Sequence, residues 1–186
     1  PRGGRPGQHV RRDGGHSPAR YDWTLDSRNT LSEGTLGVLR NLEDDITIDV
    51  FFRGEEPPLD RVALQAMELI TDQLQIIDVE SGGKVTVLTY DPNDTEKIAG
   101  RLQELRLTGY ENCLVVSSGE QRDVLSLRGE LAEFDPGRPS QAGYKPPSII
   151  AYKAEEAIVQ AILKVALAVP GREVDLRRLA DRDLQN

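Results

Sequence analysis

Residues 46–77, ITIDVFFRGEEPPLDRVALQAMELITDQLQII, decide the fold class, because they hold two different hydrophobic patterns separated by a turn. Ile46 to Phe52 is rich in β-branched and aromatic residues, the composition of a core strand. Gly54 and the Pro57-Pro58 pair close it. From Leu59 to Ile77 the apolar positions Leu59, Val62, Ala66, Leu69, Ile70, Leu74 and Ile77 follow helical spacing, and Met67 widens the stripe. After the Ser81-Gly82-Gly83 turn, Val85 to Tyr90 reads as a second buried-type strand. Strand, helix and strand in this order make a βα unit with parallel pairing.

The alternation continues downstream. Asp91 is placed to cap a helix with Pro92 at its first position, where the missing N–H costs nothing, and Ile98, Leu102 and Leu105 form its inner face. Cys113 to Ser117 is a short apolar strand, Ser118 to Gln121 a polar turn, and Val124 to Leu127 a return strand, which together predict a hairpin. Gly and Pro punctuate residues 129–147, so a long projecting loop is expected there, followed by a brief strand or edge segment at Ser148 to Tyr152. Lys153 to Val169 is a helix apolar nearly all round, which calls for cover on both sides. Upstream, Ser32 to Leu42 reads as an additional helix, capped by Ser32 and stapled by Leu31 and Leu36, with Thr35 where a capping box would have Glu or Gln. With that first helix set aside, the order is βαβαββα. The expected fold class is α/β, thioredoxin-like with an extra N-terminal helix. A flavodoxin-like three-layer sandwich is the alternative, should Ser148 to Tyr152 join the sheet as a parallel strand.

The 186 residues and 38% hydrophobic content suit one domain with a sizeable core. We place it at residues 21–169, between a basic linker at 1–20 and a tail, or the start of a further module, at 170–186. The net charge of −8 is uneven: residues 1–20 carry five Arg against Asp13, or +4, which leaves −12 on the remainder. An acidic body argues against nucleic acid as a partner, because phosphate binding needs clustered Lys and Arg. The single cysteine, Cys113, excludes an intrachain disulfide within this sequence. No apolar run approaches the roughly 18 residues that span a bilayer. The sequence begins at Pro1 without an initiator Met, so a fragment of a longer protein is expected.

Catalytic chemistry finds few candidates. His9 and His16 both lie in the basic arm, so the body has no histidine for a Ser-His-Asp or Cys-His arrangement or a zinc site. Thioredoxin chemistry would need Cys-x-x-Cys where the first strand meets its helix, and that place reads Arg53-Gly-Glu-Glu-Pro-Pro58. The hairpin strand is preceded by Gly109-Tyr-Glu-Asn112, which contains no proline. Redox catalysis is therefore not expected, Cys113 reads as a small core residue, and no cofactor or metal is assigned. Carboxylates remain. Glu55, Glu56 and Asp91 fall at the C-terminal ends of predicted strands, where α/β sheets usually bind ligands, and with Arg53 they make a candidate ligand or partner surface. A small-ligand or metal-dependent enzyme built on them is the alternative function. Gly34 and Gly82-Gly83 lack the spacing of a phosphate loop.

Several motifs also occur in a family order. Asp22 and Thr24, a short polar run, then Leu31, Ser32, Thr35, Leu36 and Leu39 are followed by Asp45-Ile-Thr-Ile-Asp-Val-Phe-Phe, by Tyr90-Asp91-Pro92 and by Ala154-Glu155-Glu156-Ala157-Ile158. Over about residues 21–168 this series resembles the extracytoplasmic domain of gliding-motility-type ABC transporter auxiliary proteins. The resemblance implies a non-catalytic binding or scaffold domain on the periplasmic face of the membrane. Its partners would be the permease and ATPase subunits or other proteins of the membrane complex, and membrane helices would flank it in the parent protein. Trp23 and Leu25, two apolar anchors in a polar run, would dock the linker onto the body. Trp23→Ala should then lower stability by about 1–3 kcal/mol in a thermal or denaturant melt. Unchanged melting would reduce the segment to a plain tether.

Overall fold

The computed structural model describes residues 30–108, 112–140 and 143–168. Their order is α1 (Glu33–Arg40), β1 (Ile46–Phe51), α2 (Asp60–Glu80), β2 (Val85–Thr89), α3 (Thr95–Glu104), β3 (Cys113–Ser118), β4 (Gln121–Ser126), β5 (Ala132–Asp135), β6 (Arg138–Ser140), β7 (Gly143–Lys145), β8 (Ser148–Tyr152) and α4 (Ala154–Leu167). The fold is mixed α/β. The expected basic linker at 1–20 and the tail at 170–186 lie outside the described residues.

A four-stranded sheet runs β2-β1-β3-β4. Strand β1 pairs parallel with β2, from Ile46 opposite Val85 to Val50 opposite Thr89, and antiparallel with β3, from Thr47 opposite Ser117 to Phe51 opposite Cys113. Strands β3 and β4 form the expected hairpin around Gly119, which holds a positive φ of 56°. Because side chains alternate along a strand, β1 presents two faces with different tasks. Ile46, Ile48 and Val50 face the larger core, with Leu114 and Val116 of β3, Ile70 and Leu74 of α2, and Ile158 and Ile162 of α4. Phe51 belongs to a second core with Val115, Tyr90, and Ile98 and Leu102 of α3. Helices α1, α2 and α4 thus serve the larger core and α3 the smaller one. Cys113 is buried in the smaller core, as a core residue would be.

Local chemistry explains where the helices stop and start. Helix α2 runs past Ile77 to Glu80 and ends at Ser81, whose hydroxyl donates to the Asp78 carbonyl at 2.8 Å and accepts from the Val85 amide at 2.9 Å. One buried serine therefore closes the helix and positions the next strand. Helix α3 starts three residues later than the Asp91-Pro92 reading implied. Asp91 instead holds a turn, accepting the Asn93 amide at 2.9 Å, and Asp94 caps the helix by accepting the Lys97 amide at 3.1 Å. Two aspartates competed for one cap, and the one three residues before Lys97 has the capping geometry. Helix α4 buries Ile158, Ile162 and Val165, but Leu167 is exposed, so the expected cover on both sides does not extend to its last turn.

Residues 129–147 correct the reading of an irregular loop. They hold β5, β6 and β7, and β5 pairs antiparallel with β8 in a two-stranded ribbon of its own. Ser148 to Tyr152 therefore does not join the main sheet, and the condition for the flavodoxin-like alternative is not met. Phe134, Ile149 and Tyr152 pack the base of this arm against the larger core, while Tyr144 and Ile150 are exposed. The two ribbon segments meet at Gly137, which has a φ of 78°, and a Cβ there would stand 2.4 Å from the Lys145 carbonyl oxygen. Gly137→Ala should disrupt the β6–β7 pairing at a cost of about 1–3 kcal/mol. Amide exchange should rise in the arm while β3 keeps its protection.

Candidate functional site

The C-terminal end of β1 leads into the loop that carries Arg53, Glu55 and Glu56. A residue at the start of the neighbouring strand holds this loop. Asn112, buried just before β3, accepts the Arg53 amide at 2.8 Å and the Gly54 amide at 3.2 Å through Oδ1. Its Nδ2 donates to the Gly54 carbonyl at 2.8 Å and to Glu55 Oε1 at 3.0 Å. One amide side chain thus satisfies a turn that no secondary structure covers, and Gly54, with φ at 95°, gives the turn its left-handed bend. The other Glu55 oxygen pairs with Arg128, which follows β4.

The predicted residues have different immediate partners. Glu55 is turned inward to Asn112 and Arg128, Glu56 and Arg53 are exposed in the loop, and Asp91 is exposed and bonded to Asn93. Among the described residues no group of three or more His, Cys, Asp or Glu is arranged to hold a metal ion. Trp23 and Leu25, the expected docking anchors, lie outside the described residues.

Two polar clusters escaped the sequence reading. The first centres on Asp49, a carboxylate with no exposure in the middle of β1. It accepts Arg101 Nε at 2.8 Å and Nη2 at 3.0 Å, and the Tyr90 hydroxyl at 2.7 Å. A buried charge demands such partners, and the forked guanidinium supplies two parallel bonds. The Tyr90 ring stacks on Phe51, centroids 4.9 Å apart. Burial first, and then the Asp49 carboxylate, push the Tyr90 phenol up to about 12. Its bonds to Asp49 and Glu104 raise Arg101 further above its ordinary value. A carboxylate inside an otherwise apolar strand was the available signal; its partner, 52 residues away, had none.

The second cluster joins α1 to the rest of the body. Ser32 caps α1 as expected, accepting the Thr35 amide at 3.2 Å. The glutamate missing from the capping box is supplied by Glu155 in the first turn of α4, whose Oε1 accepts the Ser32 amide at 2.8 Å and the Thr35 hydroxyl at 2.6 Å. Glu155 Oε2 lies 3.5 Å from Gln73 Nε2, and Gln73 Oε1 accepts the Tyr152 hydroxyl at 3.0 Å. Burial works to raise the Glu155 carboxyl, but the bonds from Thr35 and Ser32 outweigh it and hold it below the usual glutamate value. Burial, helped by the charges of Glu155 and Asp72, pushes the Tyr152 phenol upward.

An open groove of about 400 Å³ lies between β4 and α4, with Leu125, Ala157 and Ala161 among the residues that line it. Its lysines are already engaged, Lys164 with Asp123 and Lys153 with Glu133.

Residues 25–126, from the segment before α1 through the end of β4, match a family described as a domain of unknown function, DUF7088. The chain belongs to that family. No curated protein matches the chain. The DUF7088 match includes Asp49, Arg101, Glu55 and Asn112, whereas Arg128, the arm and Glu155 follow it.

Two outcomes follow from the clusters. Asp49→Ala leaves Arg101 and Tyr90 without their acceptor and should cost about 3 kcal/mol, the low end for a broken buried pair because Arg101 keeps some solvent contact. Equilibrium denaturation measures this, and replacing both Asp49 and Arg101 by leucine should recover most of it. Because the folded Glu155 value is depressed, its contribution is present above the ordinary glutamate range and lost as pH falls through the folded value. Glu155→Gln should remove this acid limb from the stability profile.

Proposed function

We propose that this DUF7088 chain is a non-catalytic binding or scaffold domain of an ABC transport system of the gliding-motility type, working at the extracytoplasmic face of the membrane. Its body is thioredoxin-like in this reading, and the sheet order β2-β1-β3-β4 with β3 opposed to β1 supports that assignment. The observation that carries the function is the state of the loop after β1. A thioredoxin-like enzyme keeps its reactive group there, whereas here the position holds Glu55 bonded to Asn112 and Arg128. A carboxylate used in this way shapes a rigid loop and presents Arg53 and Glu56 outward. The sequence resemblance supports the transport setting.

The arm offers the contact surface. Tyr144 and Ile150 are exposed on it, and large apolar side chains of this kind commonly anchor partners. Affinity capture from native membranes with the tagged chain should recover a permease or an ATPase of an ABC system. Tyr144→Ala together with Ile150→Ala should reduce that recovery by at least about tenfold without changing the melting temperature. Recovery of neither subunit by the unmodified chain would overturn the assignment.

A further inference from the structure

Glu155 serves two elements that are otherwise remote from one another. Through Oε1 it holds the N-terminus of α1, and through Oε2 it faces Gln73 on α2, whose amide oxygen accepts from Tyr152 at the base of the arm. We propose that α1 and the arm are the two ends of one conformational relay, with Glu155 and Gln73 as its links.

The chemistry gives the relay a direction at every link. A carboxylate only accepts hydrogen bonds, so Gln73 must present its NH₂ to Glu155 and its oxygen to Tyr152, which must then donate. Displacement of α1 takes two donors from a half-buried carboxylate, and the group then turns to the donor that remains, Gln73. Displacement of the arm removes the phenol that holds the Gln73 amide in place, and the carboxylate loses an oriented partner. Helix α1 suits the switched end because eight residues are too few to form a stable helix unaided. Its existence depends on docking, through Leu39 in the core and through Glu155. Coupling of this kind is reciprocal, so whatever steadies the arm tightens α1 by the same factor. The inference does not depend on what the arm contacts.

Native-state amide exchange on the full chain tests the relay, with α1, β8 and the central strand β3 followed together. Tyr152→Phe keeps the ring, and the hydroxyl it removes bonds to Gln73 on α2 rather than to α1. It should speed exchange across residues 33–40 by about three- to tenfold while β3 is unchanged. Reciprocally, Thr35→Val, which removes one Glu155 donor, should speed exchange in β8 by a similar factor. The relay is refuted if Tyr152→Phe leaves α1 within about twofold of the original chain, or if β3 accelerates to the same extent as α1. If Tyr152→Phe fails to fold, the Thr35→Val measurement on β8 decides alone by the same criteria.

Discussion

Strand β1 is buried on both faces, and its need for cover on each side organises the molecule. Ile46, Ile48 and Val50 require one apolar layer, and α2 and α4 provide it. Phe51 requires another, which α3 supplies with far fewer residues. The smaller layer is completed by polar means. Asp49, pointing to the same side as Phe51, is fully buried and must be neutralised, and the helix that covers it carries the guanidinium that does so. The position of α3 is thus set jointly by Ile98 and Leu102, which need apolar contact, and by Arg101, which must reach Asp49. Apolar burial stabilises without direction, whereas a bidentate pair fixes orientation and register. Arg122 of β4 adds a further tie on this side by donating to the carbonyl of Leu105, just after α3.

Elsewhere the fold uses the same device with neutral partners. Asn112, at the start of the neighbouring strand β3, satisfies the backbone after β1, and Glu155 at the start of α4 satisfies the backbone before α1. In both cases a chain segment that would have unpaired amides is supplied by a side chain more than fifty residues away. Glu55 and Glu155 already accept hydrogen bonds from the protein, and the Thr35 and Ser32 donors hold the Glu155 carboxyl below the usual glutamate value. The proposed binding role rests on these commitments.

The order of elements from α1 to β4 could be read from the sequence, and so could the buried state of Cys113 and the Ser32 cap. These rest on local rules: hydrophobic period, turn residues and one hydroxyl three positions from an amide. The arm was missed because β5, β6 and β7 are three or four residues long and interrupted by Gly and Pro, too short to show a period. Their pairing comes from packing, with Phe134 and Ile149 held against the core. The start of α3 was misplaced because Asp91 and Asp94 are equally good caps in sequence and only the backbone geometry chooses between them.

By itself the sequence determined the mixed α/β class, the acidic body, and the lack of histidine and paired cysteine chemistry there, since these follow from residue types and their spacing along one chain. Tertiary structure alone decided which carboxylates are committed. Glu55, read as part of a candidate ligand or partner surface at a strand end, is tied to Asn112 and Arg128, and Glu155, one residue of a helix start, completes a cap 123 positions upstream. Hydrogen-bond partners are fixed by distance in space, and a single sequence does not encode which distant donor will arrive within three ångströms of a given oxygen.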